Sequence, residues 1–299
     1  MPELPEVETI AAGVHARVHG HRIVRVWTSG KPQTFKSPED KIAAALTGAR
    51  IESVSRVGKT IVMTVERNKT STELLIHLGM TGRLLVCAPE IPLAPHTHAV
   101  LTLSGAPRKT AAREIRFVDP RRFGRISLHH PKTGCPIHAA SSHEWDATAA
   151  ISTQPTPYTG PGREPLIISL TDFIALFHPR RTPIKAALLN QSLLHGIGNI
   201  YADESLFLAS IRPTRQSSRL THAELARLRA AIIKVLRHAI RLGGSSVSDY
   251  VDAEGARGLF QLRHRVYRRT GQPCFACAEP IKKITLAGRS THFCPRCQR

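Results

Sequence analysis

The first three residues, Met1, Pro2 and Glu3, combine a latent nucleophile with an acid–base group. If Met1 is removed, as a small second residue normally permits, Pro2 becomes a free secondary amine. Its pKa is about 8 or above, lower than that of lysine. Attack of this amine on a carbon such as a sugar C1′ gives an iminium ion, whose permanent charge favours elimination reactions. Glu3 is placed to transfer the accompanying proton. The alternative, a simple helix start, explains Pro5 and Glu6 but not Pro2.

Four of the six cysteines have the spacing of a zinc ribbon, CxxC–x16–CxxC; they are Cys274, Cys277, Cys294 and Cys297. In a reducing compartment four thiolates so spaced bind Zn²⁺ rather than form disulfides. All four coordination positions are filled by protein, so the spacing predicts one structural zinc ion and no catalytic metal. The isolated Cys87 and Cys135 are interpreted as inert thiols.

The charge of the chain indicates a polyanionic partner. Lys and Arg total 42 against 22 for Asp and Glu, giving a net charge of +20. Nucleic acid is the first expectation and a membrane surface the second, with an unspecific basic protein as the alternative. No apolar run reaches the roughly 20 residues that span a bilayer, and the acidic N-terminus lacks the features of a signal peptide. A cytosolic location is expected by default.

The elements that position these residues follow from periodicity. Residues 2–19 read as an amphipathic helix, and residues 21 to about 128 as strands, which predicts an antiparallel sandwich or flattened barrel. Helical patterns follow at 170–177, 183–191, 199–209 and 222–242, the last with a capping box formed by Thr221 and Glu224. The predicted division is 1–130 for the sandwich, 131–165 for a proline-rich linker or insert, 166–255 for the helices and 256–299 for the zinc finger.

Five separated motifs carry a family resemblance: MPELPEVET at the start, HLGMTGRL (77–84), DPRRFG (119–124), HGIGNIYADESL (195–206) and the terminal ribbon. Together they resemble the formamidopyrimidine-DNA glycosylase family, which excises oxidised purines in base-excision repair and cleaves the abasic strand. The resemblance implies an α+β fold: a β-sandwich with its leading helix, then a helix–two-turn–helix domain and a zinc finger. It also implies that double-stranded DNA containing oxidised bases is bound between them, by a monomer.

The resemblance assigns roles to particular residues. It makes Pro2 the nucleophile, Glu3 the acid/base, Lys59 a catalytic or phosphate-binding lysine, and Arg289 a further catalytic group. For Arg289 the alternative is an ordinary surface arginine. It also implies DNA contacts, which fall to His96, Arg180, Asn199, Met80, Arg121 and Phe123. The last three match the residues that fill the gap left by an extruded nucleotide, with Arg121 facing the orphaned cytosine. For Asn199 the alternative is a helix cap, and for Met80 and Phe123 it is core packing.

Two other functions remain open from the sequence. An enzyme like endonuclease VIII would remove oxidised pyrimidines by the same chemistry, but that sister family has different residues at the gap-filling positions. A non-catalytic zinc-ribbon DNA-binding protein would explain the positive charge, but it would give no reason for the occurrence of Pro2 and Glu3 at the N-terminus. Substrate preference is the least determined property, because the lesion-recognition loop at roughly 245–262 can be placed but its base contacts cannot be assigned. His98 is interpreted as structural, and Lys185 as either structural or near the DNA backbone.

Overall fold

The computed structural model describes residues 1–104, 113–130, 157–246 and 250–299. In chain order its α-helices and strands are α1 (Leu4–Val18), β1 (Ile23–Thr28), α2 (Glu39–Leu46), β2 (Arg50–Val57), β3 (Thr60–Arg67), β4 (Thr70–His77), β5 (Arg83–Cys87), β6 (Thr97–Leu103), β7 (Arg113–Val118), β8 (Arg125–His129), α3 (Leu170–Phe177), α4 (Ile184–Leu189), α5 (Asn199–Leu208), α6 (His222–Arg241), β9 (Lys282–Leu286) and β10 (Arg289–Phe293). The order of strands, then helices, then a short hairpin confirms the predicted α+β class.

Two four-stranded sheets form the N-terminal domain. Their strand orders are β1-β6-β7-β5 and β2-β3-β4-β8, and every pairing is antiparallel. Apolar side chains from both sheets and from α1 meet in one buried cluster. On α1 the buried residues recur every three to four positions (Val7, Ile10, Val14 and Val18), as an amphipathic helix requires. The predicted antiparallel sandwich with a leading helix is confirmed.

One helix lies where the sequence pattern predicted strands. The segment EDKIAAAL forms α2, in which only Ile42 and Leu46, one turn apart, are buried. Acidic residues in its first turn and a run of alanines both favour a helix. The prediction of strands throughout residues 21 to about 128 is therefore wrong at α2, because two turns of helix are too short to show a clear apolar period.

The helices α3 to α6 enclose a second buried cluster. The predicted capping box begins α6: the Thr221 side chain accepts a hydrogen bond from the Glu224 amide, and the Glu224 side chain accepts one from the Thr221 amide. After α6 both Gly243 and Gly244 have positive φ, at 71° and 79°, which ends the helix as predicted. No helix in the described ranges is long and apolar enough to cross a membrane.

The linker predicted at 131–165 is only partly described, because residues 131–156 lie outside the described residues. In its last part, the Tyr158 amide donates to the Glu73 carboxylate on β4 at 3.0 Å. Glu164 forms an ion pair with Arg56 on β2 at 2.9 Å. Residues 157–165 are thus attached to the sandwich where the chain enters the helical domain.

Candidate active site

The N-terminus of α1 lies between the two large cores. Leu4 is buried in the helical cluster, whereas Val7 and Ile10 of the same helix are buried in the sandwich cluster. The Leu4 amide donates to the Gly196 carbonyl at 3.0 Å. Gly196 has φ +89°, and a Cβ there would lie 2.8 Å from the Leu4 side chain. The first residues of the chain are therefore fixed against the turn that precedes α5.

Glu3 is buried and bound by the N-terminus of α5. Its carboxylate accepts hydrogen bonds from the amides of Gly198 at 3.0 Å, Ile200 at 3.1 Å and Tyr201 at 3.4 Å. Such amides have no partner within their own helix, and this end of a helix favours negative charge. A Cβ at Gly198 would lie 2.3 Å from Glu3 Cδ, so only glycine fits there. The glycine-rich turn presents its amides to an anion, and that anion is the Glu3 carboxylate.

Burial gives the Glu3 carboxyl an unusual pKa. Desolvation by burial is the main cause that raises the pKa of the Glu3 carboxyl from 4.5 to about 7; Lys59 opposes this rise and the nearby Glu6 adds to it. A carboxyl with a pKa near neutrality both donates and accepts a proton readily under those conditions. The environment of Glu3 therefore suits it to proton transfer.

Glu6 is a second buried carboxyl, one turn along α1. It accepts hydrogen bonds from the Glu3 amide at 2.8 Å, from the Ser245 amide at 2.7 Å and from the Tyr201 hydroxyl at 2.5 Å. Burial raises its pKa. Glu6 thus joins the N-terminus to α5 and to the start of the segment that follows α6.

Lys59, in the turn between β2 and β3, approaches the same turn from the sandwich. Its Nζ donates to the Ile197 carbonyl at 3.0 Å. Burial lowers its pKa, Glu3 opposes that effect and Arg289 adds to it. Gln191 donates to the Ile197 carbonyl as well, at 2.9 Å, and accepts from the Gly196 amide at 3.0 Å. Gln191 therefore fixes the shape of the turn that holds Glu3.

The hairpin β9–β10 closes the site from the third side. Its two-residue turn, Ala287–Gly288, has positive φ at both positions, and exposed Arg289 follows it. The Ser290 carbonyl accepts from Asn199 Nδ2 at 2.9 Å and from Lys185 Nζ at 2.9 Å. Residues of all three parts line one cleft; the predicted ones among them are Glu3, Lys59, Met80, Asn199 and Arg289.

Lys185 belongs to a buried polar group beneath this hairpin. It forms an ion pair with Asp203 of α5 at 2.6 Å, and both side chains are almost completely buried. The second carboxylate oxygen of Asp203 accepts from the His292 amide of β10 at 2.9 Å. Lys185 therefore has a structural part in connecting α4, α5 and the finger.

Met80, Arg121 and Phe123 lie on two neighbouring loops of the sandwich. The Met80 and Phe123 side chains are 42% and 49% exposed, so core packing does not explain them. The Arg121 guanidinium stacks over the Phe123 ring at 4.7 Å. Asp119 holds the second loop, because its carboxylate accepts from the amides of Arg121 at 3.2 Å and Gly124 at 2.7 Å. Asp119 thus fixes the loop that presents Arg121 and Phe123 to solvent, and Met80 is exposed on the neighbouring loop.

The remaining predicted contacts lie outside the lining of the cleft. His96 is exposed, has a left-handed φ of 65°, and its carbonyl accepts from the Asp119 amide at 3.0 Å. Arg180 is exposed, with Nε donating to the Leu176 carbonyl at 2.9 Å. His98 is buried and hydrogen-bonds the Asp119 carbonyl and Ser29, which agrees with a structural role. His96 is therefore attached to the loop that carries Arg121, whereas Arg180 follows α3.

The four ribbon cysteines converge at one point. The Sγ atoms of Cys274, Cys277, Cys294 and Cys297 all lie within 4.8 Å of one another. A tetrahedral ion with Zn–S bonds of about 2.3 Å would place sulfurs about 3.8 Å apart, so the thiolate set fits one structural Zn²⁺. No fifth protein donor or open position is needed, which agrees with the predicted structural ion. The finger core is otherwise small: Phe207, Val266 and Ile281 are its buried apolar members besides Cys274 and Cys294.

Three sequence profiles match the chain in order. Residues 1–126 match the formamidopyrimidine-DNA glycosylase N-terminal domain, residues 162–251 match the formamidopyrimidine-DNA glycosylase H2TH domain, and residues 271–299 match a zinc finger found in FPG and IleRS. The chain is also similar to formamidopyrimidine-DNA glycosylases from Solibacter usitatus, 42% identical, and Gluconobacter oxydans, 40% identical, each covering 100% of both chains.

This chain belongs to the formamidopyrimidine-DNA glycosylase family. It is an enzyme of base-excision repair, with glycosylase and AP-lyase activities, and the recognition made from the five motifs is confirmed. A Lactococcus lactis enzyme crystallised as a variant with Fapy-dG-containing DNA has the same fold, with a TM-score of 0.81 and 29% identity over 100% of both chains. The interpretation as a non-catalytic zinc-ribbon protein is wrong, since the match includes the N-terminal domain.

Sequence reasoning did not find several residues that shape the family site in this chain. Glu6 was assigned only to the start of a helix, and Gln191, Tyr201 and Asp203 were not assigned at all. Glu6 and Asp203 are charged residues within apolar helical stretches, and a buried charge needs partners. That signal was present for both residues, but it did not identify the partners, which lie far away in the sequence.

Proposed function

We propose that this enzyme removes oxidised purines from duplex DNA as a monomer and cuts the strand at the abasic site with Pro2 as nucleophile. The supporting observation is the setting of Glu3, one residue from Pro2. Its carboxyl is fixed by the amides of Gly198 and Ile200 and has a pKa of about 7. An acid–base group held beside a potential amine in a cleft suits attack at a sugar carbon.

The chemistry begins once Met1 is gone and the Pro2 nitrogen is an amine rather than an amide. Its lone pair bonds to C1′ as the bond from C1′ to the damaged base breaks; the Pro2 nitrogen gives up its N–H proton, and the base leaves with a proton. Cleavage of the C1′–O4′ bond then gives an iminium ion, which withdraws electrons from C2′. Loss of the C2′ proton expels the 3′ phosphate, and loss of the C4′ proton in a second elimination expels the 5′ phosphate. Water finally releases the amine from the sugar remnant.

Glu3 is the group that protonates the sugar oxygen in this scheme. Its raised pKa means that a substantial fraction of the carboxyl is protonated near neutral pH. The charge of Lys59 limits that fraction by favouring the carboxylate. After the sugar ring has opened and the eliminations are complete, Glu3 is protonated again for the next turnover.

The cations and amide around the cleft are proposed to bind DNA phosphates. Lys59, Asn199 and Arg289 line the cleft from three separate parts of the chain, so together they hold one phosphate group beside the reacting sugar. Because Glu3 occupies the amides of α5, it is Asn199 Nδ2 that contacts the phosphate, exchanging a hydrogen bond to Ser290 for one to a phosphate oxygen. His96 and Arg180 then bind the flanking backbone without reading sequence.

Met80, Arg121 and Phe123 are proposed to fill the space of the extruded nucleotide. Two half-exposed apolar side chains replace lost stacking, and the stacked Arg121 guanidinium offers donors to the acceptors of an orphaned cytosine. Guanine is the partner of cytosine, so this set favours damaged guanine. It is the feature that favours oxidised purines over oxidised pyrimidines.

An oxidised-pyrimidine activity is the second candidate. A crystal structure described as wild-type Lactococcus lactis enzyme with DNA containing an oxidised pyrimidine matches this chain with a TM-score of 0.80 and 29% identity over 100% of both chains. The same pocket in this enzyme is then expected to accept such bases as slower substrates.

A panel of duplexes tests the proposal. We expect faster excision of 8-oxoguanine and formamidopyrimidines than of oxidised pyrimidines, and faster excision opposite cytosine than opposite adenine. Arg121→Ala removes the cytosine preference, at a cost of roughly 1–3 kcal/mol. Arg67→Ala, an exposed arginine on the sandwich outside the cleft, is the control and leaves the preference intact. Equal wild-type rates opposite cytosine and adenine, or faster excision of pyrimidines, would contradict the proposal.

A further inference from the structure

The exposed face of α6 carries a row of cations that the proposed function does not use. Arg227, Lys234, Arg237 and Arg241 are all exposed. At about 100° per residue they fall within an arc of about 80° around the helix. The buried residues of α6 occupy the opposite side. The row is therefore a continuous stripe of positive charge facing solvent.

Nothing in the described part of the chain neutralises this stripe: no hydrogen bond or ion pair joins its four cations to described residues. The one acidic residue of α6, Glu224, lies in the first turn and is paired with Arg215. At the other end the stripe continues into Arg263 and Arg265, which are exposed. Burial lowers the pKa of His238, and the charges of Arg241, Arg263 and Arg265 lower it further, so each of the three arginines lies near His238.

These six cations, Arg227, Lys234, Arg237, Arg241, Arg263 and Arg265, are here termed the α6 basic face. The four on α6 point away from the catalytic cleft. Helix α1, which follows Glu3, and helix α5, which begins with Asn199, both pack against the other, buried side of α6. A short duplex seated in the cleft does not pass around the helix to reach them. Their partner is therefore a separate molecule or a separate segment.

The shape and composition of the face indicate a phosphate backbone. From Arg227 to Arg241 the stripe is about 21 Å long at 1.5 Å per residue, which matches about six base pairs at 3.4 Å each. The exposed positions between its cations on α6 include Ala230 and no aromatic residue. Protein interfaces depend on large aromatic anchors, whereas backbone contacts need only cations.

We propose that the α6 basic face binds a second segment of duplex DNA while the first occupies the cleft. The enzyme then holds two duplex segments at once and passes from one to the other without dissociating fully. This activity concerns the search for damage and leaves the chemistry of excision unaffected.

The test uses the whole enzyme with its cleft filled. Enzyme saturated with a short unlabelled duplex containing a stable abasic-site analogue is titrated with a fluorescent, lesion-free duplex at several salt concentrations. We expect a second duplex to bind. The triple variant in which alanine replaces Lys234, Arg237 and Arg241 should bind the second duplex with a weaker salt dependence. The slope of log affinity against log salt should become less negative by about 2.7, at about 0.9 for each lost phosphate contact. Excision in the cleft should proceed at the wild-type rate.

A matched control removes the same charge elsewhere. Lys31, Lys41 and Lys69 are exposed on the sandwich, and their combined replacement with alanine should leave the slope unchanged. Circular dichroism checks that both variants keep their helices. The proposal is overturned if the wild-type enzyme with its cleft occupied binds no second duplex. It is also overturned if the slope of log affinity against log salt changes equally in the α6 variant and the control variant. It is also wrong if polyglutamate displaces the second duplex as well as DNA does at equal charge, because the partner would then be an acidic protein segment.

Discussion

At the scale of single residues, the decisive feature is a carboxyl whose proton affinity is set by its surroundings. Glu3 is buried, so its charged form loses hydration, while the amides of α5 and the charge of Lys59 partly compensate. The balance leaves a pKa of about 7 rather than the ordinary 4.5. Neither the raised pKa nor its causes can be read from the letters PEL, because the compensating groups lie 56 to 198 positions further along the chain.

This raised pKa makes stability depend on pH in a defined direction. The folded state binds the Glu3 proton more tightly than the unfolded state, so the free energy of unfolding decreases as pH rises from 4.5 to about 7. The loss reaches about 3 kcal/mol, at 1.36 kcal/mol per pKa unit. Glu3→Gln removes this part of the pH dependence, whereas Glu66→Gln, on the surface, does not. Urea unfolding at pH 5 and pH 8 measures it; the same pH dependence in Glu3→Gln and wild type would contradict the assignment.

At the scale of elements, periodicity predicted most of the fold. The long helix α6 was predicted with its capping box and its glycine stop because both ends carry local signals. The short helix α2 was missed because one buried turn does not establish a period. The candidate site was predicted only in part: the motifs supplied Glu3 and Lys59, which line the cleft, and Pro2 as nucleophile stays a prediction. The connections made by Gln191 and Asp203 depend on tertiary contacts. The contact of Ser290 with Asn199 likewise joins the finger to α5, 91 positions apart in the sequence.

The zinc finger is the element whose removal should have the clearest effect. Its apolar core is small, so the metal contributes much of its folding energy. Cys294→Ser should release the zinc and free the hairpin that presents Arg289. A hydrogen bond to a charged group contributes roughly 1.5–3 kcal/mol, so DNA binding should weaken by roughly ten- to a hundredfold.

Metal analysis and DNA titration of the purified protein check this expectation. Cys87→Ser is the matched control, because Cys87 lies on β5, far in sequence from the ribbon, and should keep both zinc and affinity. A zinc-free Cys294→Ser protein with wild-type DNA affinity would show that the finger positions nothing of importance.

At the scale of the whole molecule, the cleft lies where the sandwich, the helical domain and the finger meet. The sandwich contributes Lys59 and Met80, the helical domain contributes Asn199, and the finger contributes Arg289. The N-terminus is inserted among them, with Leu4 in one core and Val7 in the other. This arrangement explains why Glu3 and Leu4, close to the start of the chain, are held firmly, although chain ends are usually mobile.

The most direct test of the account is chemical trapping of the enzyme on damaged DNA. If the Pro2 amine attacks C1′, borohydride reduces the iminium to a stable amine, and the cross-link maps to the N-terminal peptide. Pro2→Gly keeps a primary amine, so cleavage should slow rather than vanish, whereas a retained Met1 or an N-terminal tag should abolish trapping. A cross-link that maps to Lys59, or full lyase activity from protein with verified intact Met1, would contradict the central claim.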